Sequence, residues 1–261
     1  MMPDNLLVIG NSHVVALRLA LRDNPDRWAD LGATFFALPP APLRQLSLQD
    51  GHLLPDTVEA QRHMRRLNGT DQLALAGYDA FLIVGGPAFS AVAQLQRSHR
   101  SLDFPSVAAG QPCDLISTGY MDAMIRHRVR YSAALKLARM LESLQEGPVL
   151  LAEAPLPSEE CRDDPAGLEH YLQMIQRGDA AHFWARYRQA LQDVAGAGVT
   201  VVPQPPQTIA DDFFTARDWM RGSFGLGRDG EEPHQDRDYH HANPGYGGLQ
   251  LDLLMKALAA L

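Results

Sequence analysis

The stretch LLVIGNSHVVALRLAL, residues 6–21, decides the fold class of this chain. Its first four residues are apolar without alternation, and an apolar helical pattern covers residues 14–21. An unbroken apolar run is typical of a parallel strand that is covered on both faces of its sheet. The residues between the strand and the helix are Gly10, Asn11, Ser12 and His13. The stretch therefore predicts a first core strand, a polar turn at its carboxyl end and a helix that packs on the sheet.

Four more short apolar segments are predicted as strands of the same sheet, at residues 34–38, 80–84, 149–152 and 199–202. Helical patterns alternate with them, at residues 58–67, 88–95, 121–144 and 168–195, and a last one covers 249–261. Strands that alternate with helices predict a parallel sheet with right-handed crossovers, whose carboxyl ends lie along one edge. We expect a single α/β domain over residues 1–261, with the functional residues at that edge.

Two irregular segments interrupt this pattern, at residues 98–119 and 155–167. Each follows a predicted strand or its helix, and each contains prolines and glycines that break regular structure. Loops of this length are often functional. We expect both to be loop insertions that overhang the functional edge of the sheet, with a purely peripheral position as the alternative.

The composition excludes several classes of partner. Asp and Glu outnumber Lys and Arg by 31 to 23, which gives a formal net charge of −8. No long basic block is present, so we expect no nucleic-acid partner. The first residues, MMPDNLL, contain no basic region, and the apolar run after them is too short to span a membrane. These features predict a cytoplasmic protein with no membrane partner, and they leave its oligomeric state open.

The chain carries no sequence pattern for a cofactor. Its two cysteines, Cys113 and Cys161, have neither a CxxC partner nor a histidine at zinc-finger spacing. We expect free thiols, although the sequence does not exclude a pair between them. No GxGxxG motif and no phosphate-loop lysine is present, so no nucleotide is predicted.

Ser12 allows two interpretations. Serine is a favoured cap at a helix N-terminus, and a cap needs no further partner. A serine at a strand-to-helix turn also exposes its hydroxyl at the sheet edge, and its own N–H can donate to a developing oxyanion. The hydroxyl becomes a useful nucleophile only with a general base. The GxSxG pattern of α/β-hydrolases is absent, because the residues here are Gly10-Asn11-Ser12-His13-Val14.

A candidate general base lies in DRDYHHANPGYGGLQLDLL, residues 236–254. Asp238 and His241 stand three residues apart, just before the last helical pattern. A carboxylate at this spacing can reach the imidazole, fix its tautomer and stabilise the imidazolium. His240 is a rival base, but it is only two residues from Asp238. The loop follows the fifth predicted strand and returns toward the edge that holds Ser12.

A Gly-x-Ser-His after the first strand and an Asp-x-x-His before the last helix together resemble the SGNH, or GDSL-type, hydrolase superfamily. The resemblance implies a flavodoxin-like, three-layer α/β/α fold with a five-stranded parallel sheet. It also implies hydrolysis of small acyl esters, including O-acylated carbohydrates. Ser12 matches the nucleophile block, in which Asn11 replaces the usual aspartate, and Asp238 and His241 match the closing block. The sequence HANPGYG, residues 241–247, is similar to the closing block of bacterial members.

The same resemblance implies an oxyanion hole made by a glycine N–H after the second strand and an asparagine after the third. Gly51 is the best glycine after the second strand, although it lies well beyond residue 38. The asparagine position falls on Pro87, which has no N–H to donate. The predicted oxyanion and substrate-binding residues are Ser12, Gly51, Gly85, Gly86 and Asn243.

Pro87 leaves several outcomes open. Another donor, such as the N–H of Ala88 or a side chain of the overhanging loops, replaces the asparagine, or the enzyme is slow or specialised. A chain that has lost hydrolysis and kept ligand binding is the alternative from another class, and a glycan O-acyltransferase that uses the same serine is a third. The histidines and aspartates of the closing block, His234, Asp236, Asp238, His240 and His241, also suit a divalent metal. We expect no metal, because Pro233 indicates a loop and no histidine pair has an evident helical spacing.

Overall fold

Five parallel strands form the central sheet of the computed structural model, which describes residues 5–144, 147–165, 167–227, 231–235 and 237–261. The strands are β1 (Asn5–Gly10), β2 (Gly32–Ala37), β3 (Ala80–Val84), β4 (Val149–Ala152) and β5 (Val199–Val202). Their spatial order is β2-β1-β3-β4-β5, and every neighbouring pair is parallel. This is the strand order of flavodoxin-like folds. The predicted five-stranded parallel sheet is confirmed, and β3, β4 and β5 have the predicted bounds.

Helices cover both faces of the sheet. The longer ones are α1 (Val14–Asp23), α2 (Val58–Asn68), α3 (Thr118–Arg130), α4 (Ala133–Glu142), α5 (Glu169–Gln176), α6 (Ala180–Ala195) and α7 (Pro244–Ala259). Successive residues of β1 point to opposite faces. Leu6 and Val8 pack in a core with α1 and α7, whereas Leu7 and Ile9 pack in a second core with α2, α3, α4 and α6. The predicted three-layer α/β/α architecture is therefore confirmed. In the described part of the chain, no helix combines the length and the apolar content that a membrane crossing needs.

Two predicted helices are each divided in two, so those predictions were wrong in their continuity. Within residues 121–144, Ser132 accepts a hydrogen bond from the N–H of Leu135 (3.2 Å) and caps α4 as a new helix. Within residues 168–195, Gly178 has a φ of +78°, which ends α5 before α6 begins. The buried stripe continues across the first break, from Val129 to Ala133. The hydrophobic period alone therefore does not reveal the interruption.

Short ladders and helices occupy the connections between the core elements. One antiparallel sheet joins Leu46–Gln49, His52–Pro55 and Leu73–Ala74, and antiparallel pairs join Ile209–Ala210 with Phe214–Thr215 and Phe224–Leu226 with Glu231–Pro233. Shorter helices are Pro40–Arg44, Phe89–Ala93 and Pro105–Ala108. These strands of two to four residues form neither a sustained period-2 pattern nor a long apolar run, so the sequence does not predict them.

The two irregular segments are attached to different parts of the molecule. Residues 98–119 pair His99–Arg100 with Asp114–Leu115, and the buried Asp179, just before α6, accepts from the N–H and the hydroxyl of Ser106 at 2.9 and 2.7 Å. In residues 155–167, the N–H of Ser158 donates to the carbonyl of Tyr239 at 2.9 Å. The second segment therefore borders the loop that carries Asp238 and His241.

Helices α1 and α7 approach each other closely. A Cβ atom on Gly247 would lie 2.2 Å from the carbonyl oxygen of Ala16, a distance that no side chain tolerates. Ser12 stands just before α1, and His241 stands just before α7. The glycine contact therefore helps to set how closely these two residues approach at the sheet edge.

Candidate active site

Ser12 lies in the turn between β1 and α1, and its hydroxyl does not cap the helix. His13 is the residue before α1, and it makes no side-chain cap hydrogen bond. Backbone bonds hold the turn instead, since the N–H groups of Val14 and Val15 donate to the carbonyls of Asn11 and Ser12 at 3.0 and 3.1 Å. Ser12 Oγ lies 2.6 Å from Nε2 of His241. The hydroxyl is thus directed at an imidazole from the other end of the chain.

Asp238 holds the other side of this imidazole. Its Oδ2 lies 2.7 Å from Nδ1 of His241, and its Oδ1 accepts the backbone N–H groups of His240 and His241 at 2.9 and 3.0 Å. A carboxylate can only accept here, so Nδ1 carries the proton. Nε2 is then the acceptor for the Ser12 hydroxyl. The three side chains that the sequence singled out, Ser12, His241 and Asp238, are therefore joined in one hydrogen-bond chain.

The environment keeps Asp238 ionised. Burial alone would raise the pKa of its carboxyl, but the hydrogen bond and charge of His241, with the N–H of His240, hold that pKa well below its usual range. An anionic Asp238 stabilises a positive charge on His241 and fixes the ring tautomer. The pair has the electrostatics that a general base needs next to a hydroxyl.

Two more imidazoles stack on the faces of His241. The ring centroid of His13 lies 4.8 Å from that of His241 with 30° between the planes, and the centroid of His234 lies 4.2 Å away at 32°. Burial, then the neighbouring His241, lower the pKa of His13 to about 3, and the same causes lower the pKa of His234. Both flanking rings are neutral at neutral pH. The sequence does not reveal this stacking, because His13 comes from the turn after β1 while His234 and His241 come from the closing block, where no regular spacing relates their rings.

Asn243 holds the start of α7 and the loop before it. Its side-chain oxygen accepts the N–H of Tyr246 at 3.1 Å, which caps the helix. Its Nδ2 donates to the carbonyls of Asp218 and Arg221 at 2.8 and 2.9 Å. Every polar atom of this side chain is engaged within the protein, which favours a positioning role over the predicted contact with substrate.

The turn after β3 lies beside the turn of Ser12. Gly85 has a φ of +79°, and a Cβ atom on it would lie 2.2 Å from Oδ1 of Asn11. Gly86 lies against β4, since its Cβ would be 3.1 Å from the carbonyl of Ala152. Pro87 is buried, and its carbonyl accepts the hydroxyl of Tyr187 at 2.5 Å. The two glycines thus reach the edge that holds Ser12, whereas the residue at the asparagine position is fixed as a hydrogen-bond acceptor.

Gly51 belongs to another part of the fold. It lies in the hairpin turn between Leu46–Gln49 and His52–Pro55, with a φ of +73°, and its carbonyl accepts the N–H of Leu75 at 2.9 Å. This antiparallel sheet is separate from the central sheet that carries Ser12. The predicted role of Gly51 as an oxyanion donor stays a prediction.

Glu153 stands directly after the fourth strand, β4, where the sequence predicts a residue at the rim of the site, and the structure shows that its carboxyl is buried. Its side chain is 3% exposed, and its Oε2 lies 3.2 Å from Nη1 of Arg188. Burial raises the pKa of Glu153, although Arg188 opposes the shift. Its Oε1 has no hydrogen-bond partner, and neither has the buried hydroxyl of Tyr246. Only the tertiary structure shows that the carboxyl group at the end of this strand is buried.

Three residues of the closing block could also hold a metal ion. In the described residues, one ligand atom each from His234, Asp238 and His241 lie within 4.8 Å of one another. Two imidazoles and one carboxylate suit zinc. Asp236, which the sequence placed in the same cluster, lies outside the described residues. A cavity of about 400 Å³ opens beside this group, and its wall includes Glu160, Arg221, Ser223, His234 and Asp238.

Comparisons with known proteins add little to this geometry. No protein-family profile matches the chain, and no curated protein has a similar sequence. Among solved structures, the chain is similar to a GDSL-like lipase from Bacteroides thetaiotaomicron, with 12% identity and a TM-score of 0.35. The match covers 98% of this chain and 86% of the lipase. A TM-score at this level does not establish a common fold.

Proposed function

We propose that this chain is a serine hydrolase of the SGNH type that cleaves small acyl esters. The observation that supports it is the hydrogen-bond chain from Ser12 Oγ to His241 Nε2 (2.6 Å) and from His241 Nδ1 to Asp238 Oδ2 (2.7 Å). A hydroxyl, an imidazole and a carboxylate in this order are the arrangement of a nucleophile, its base and the group that orients the base.

In the proposed reaction, Ser12 Oγ attacks the acyl carbonyl while Nε2 of His241 takes the hydroxyl proton. His241 then gives this proton to the leaving alcohol, and an acyl group remains on Ser12. Water, deprotonated by the same nitrogen, releases the acid and restores the hydroxyl. Asp238 stays ionised throughout, holds the Nδ1 proton and stabilises the imidazolium.

The oxyanion is assigned to backbone donors. The N–H of Ser12 and the N–H groups of the turn at Gly85 and Gly86 are proposed to hold it, because the contact of Gly85 with Asn11 brings this turn beside the nucleophile. Pro87 adds no donor. Since one missing oxyanion donor typically costs about 10²–10³ in rate, we expect slow turnover unless Ala88 N–H compensates.

A polar alcohol group is proposed for the substrate, such as the sugar of an O-acylated carbohydrate. The cavity beside Asp238 has Glu160, Arg221 and Ser223 in its wall, so it offers charged and hydroxyl groups rather than an apolar surface. Hydroxyl-rich groups can form further hydrogen bonds with such a wall, whereas long acyl chains would form none.

Covalent labelling with a fluorophosphonate probe and hydrolysis of p-nitrophenyl acetate test the proposal. We expect both in the unmodified chain, neither in Ser12→Ala, and a large loss of both in His241→Ala. His240→Ala is the matched control, because its ring follows the same loop while only its backbone N–H bonds to Asp238. Equal hydrolysis by Ser12→Ala, or losses in His240→Ala as large as in His241→Ala, would overturn the assignment.

One observation favours a second candidate, a ligand-binding protein that has lost hydrolysis. Pro87 stands where the resemblance implies an oxyanion asparagine, and its buried carbonyl is bonded to Tyr187. This candidate predicts no labelling of Ser12 by the probe. If labelling occurs with little hydrolysis, a glycan acceptor added to the assay distinguishes an O-acyltransferase, because the acyl group then appears on the sugar rather than as free acid.

A further inference from the structure

His234 lies at the candidate active site, but the proposed hydrolysis does not use it. Its ring stacks on His241, and its Nδ1 lies 3.5 Å from Oδ2 of Asp238. The loop holds it there, since its N–H donates to the carbonyl of Ser223 at 3.0 Å and its Nδ1 lies 3.1 Å from the Ser223 hydroxyl. The segment Glu231–Pro233 before it pairs with Phe224–Leu226. These contacts hold the His234 ring in a defined position beside His241 and Asp238.

One distance among the three polar side chains already fits a tetrahedral metal ion. Zinc binds nitrogen and carboxylate oxygen at about 2.0–2.2 Å, so two of its ligand atoms stand roughly 3.4 Å apart. His234 Nδ1 and Asp238 Oδ2 are 3.5 Å apart, which already matches this spacing. His241 Nδ1 and Asp238 Oδ2 are 2.7 Å apart, a hydrogen-bond distance that zinc would have to widen.

The cavity beside these residues gives the metal ion access to them and leaves room for a water molecule as its fourth ligand. About 400 Å³ of space opens on His234 and Asp238, which leaves room for the ion to enter and for water to bind it. Three protein ligands with a water in the fourth position are a common zinc arrangement. A metal ion needs a nitrogen without a proton, so His241 must release the proton on Nδ1 to bind through that atom.

We propose that His234, Asp238 and His241 form a site at which bound zinc reversibly inhibits the enzyme. The inhibition rests on the proposed hydrolase function, whereas the binding of zinc does not. Zinc takes the place of the proton on His241 Nδ1, and that proton is released to solvent. The bond from Nδ1 to Asp238 is lost. A positive ion on Nδ1 also makes Nε2 a weaker base toward Ser12.

Calorimetric titration of the full chain with Zn²⁺ tests the site without any substrate. We expect one ion per chain. We also expect a measured binding enthalpy that changes with the ionisation enthalpy of the buffer, because binding releases a proton to it. His234→Phe keeps an aromatic ring in the stack but removes the nitrogen, and His240→Phe changes the neighbouring histidine of the same loop as the control. Loss of an outer-shell partner already weakens metal sites about 10–100-fold, so His234→Phe is expected to weaken binding by at least that factor. Equal affinity in His234→Phe and the unmodified chain overturns the site.

Esterase assays with and without Zn²⁺ test the inhibition, with each variant as its own reference. We expect zinc to inhibit the unmodified chain and His240→Phe, a chelator to restore both, and His234→Phe to resist zinc. His234→Gln serves as a second variant if His234→Phe loses its native circular dichroism. Zinc that binds through His234 to a chain that neither hydrolyses esters nor labels at Ser12 supports the metal site and contradicts the proposed function. Hydrolysis that zinc does not change, at concentrations that saturate the site, contradicts the inhibition.

Discussion

Ser12 Oγ lies 2.6 Å from His241 Nε2, although 229 positions separate the two residues in the chain. The strand β1 brings the serine to the edge of the sheet, and the loop before α7 returns the histidine to the same edge. The contact between α1 and α7 then fixes their separation. Catalytic competence is therefore expected to depend on this helix pair as well as on the reacting residues.

Asp238→Asn removes the charge of the carboxylate and keeps the shape of the side chain, so it tests what the charge contributes. The amide still fits between the backbone N–H groups and the ring, but it favours the wrong tautomer of His241 and cannot stabilise its positive charge. If the proposed function holds, we expect a loss of about 10⁴ in kcat, as for a Ser-His-Asp triad, and a lower urea midpoint, because the ionised carboxylate with its lowered pKa also stabilises the fold. Measurement of kcat and of the urea midpoint checks this. A loss below tenfold would show that Asp238 does not orient the base.

Gly247→Ala and Gly248→Ala form a matched pair on α7. A Cβ at Gly247 would meet the backbone of Ala16 at 2.2 Å, whereas one at Gly248 would meet the Trp28 ring at 3.4 Å. Overpacking typically costs about 1–3 kcal/mol, while alanine in place of a helical glycine gains up to about 1 kcal/mol. Urea unfolding is expected to show opposite signs for the two variants. Equal effects would mean that the close approach of α1 and α7 does not constrain the fold.

The Asn243 side chain combines a helix cap with two donated bonds, and substitutions separate these contributions. Asn243→Ser keeps a cap acceptor and loses the amide donors to Asp218 and Arg221, whereas Asn243→Ala loses both. Cap removal costs about 1 kcal/mol. We expect stability to fall in the order Asn, Ser, Ala, as measured by thermal unfolding. A serine variant as stable as the unmodified chain would show that the two amide bonds contribute nothing.

Glu153 makes stability depend on pH in a definite direction. Burial raises its folded pKa, so above the unfolded value near 4.3 the unfolded chain has lost a proton that the folded chain still holds. His13, whose folded pKa is lowered, adds stability as the pH rises. Glu153 contributes a slope of the opposite sign, in which the free energy of unfolding decreases as the pH rises from the unfolded pKa of this carboxyl through its folded pKa. Glu153→Gln keeps the shape and a hydrogen-bond acceptor for Arg188, and it is expected to remove this slope. An unchanged slope between pH 4.5 and 7 would assign the effect to another group.

The two cysteines are free, and they differ in burial. Burial raises the pKa of the Cys161 thiol to about 11, although Arg162 opposes the shift, and its side chain is buried, whereas Cys113 is partly exposed. Thiolate is the reacting form, so iodoacetamide at pH 8 is expected to modify Cys113 and to leave Cys161 unmodified in the native state. Mass spectrometry of the native and urea-unfolded chain checks this. Rapid native modification of Cys161 would contradict it.

The elements that the sequence predicts well are those that a single local pattern encodes. The strands β3 and β4 are unbroken apolar runs and β5 is apolar except for Thr200, and their bounds agree with the prediction. The breaks at Ser132 and Gly178 were missed because the apolar stripe and the break depend on different features, the first on burial and the second on capping and backbone conformation.

The candidate site also contains some contacts that a local sequence pattern predicts and others that it does not. Asp238 and His241 are close in sequence, so their spacing predicts their contact, and the turn of Ser12 follows from the first strand. The stacking of His13 and His234 depends on how separate loops meet, which no local pattern encodes. Asn243 illustrates a third case, since its type was predicted to be functional while its contacts show a side chain occupied by capping.

The contact between the two ends of the chain has a consequence for biosynthesis. A ribosome makes the turn that contains Ser12 first and reaches His241 only 229 residues later, and α7 must then emerge to pack on α1. The nascent protein consequently carries its serine through translation without a base to activate it. If the proposed function holds, a chain that ends before Asp238 lacks both the base and the group that orients it, and we expect it not to hydrolyse esters, however much of the sheet it retains.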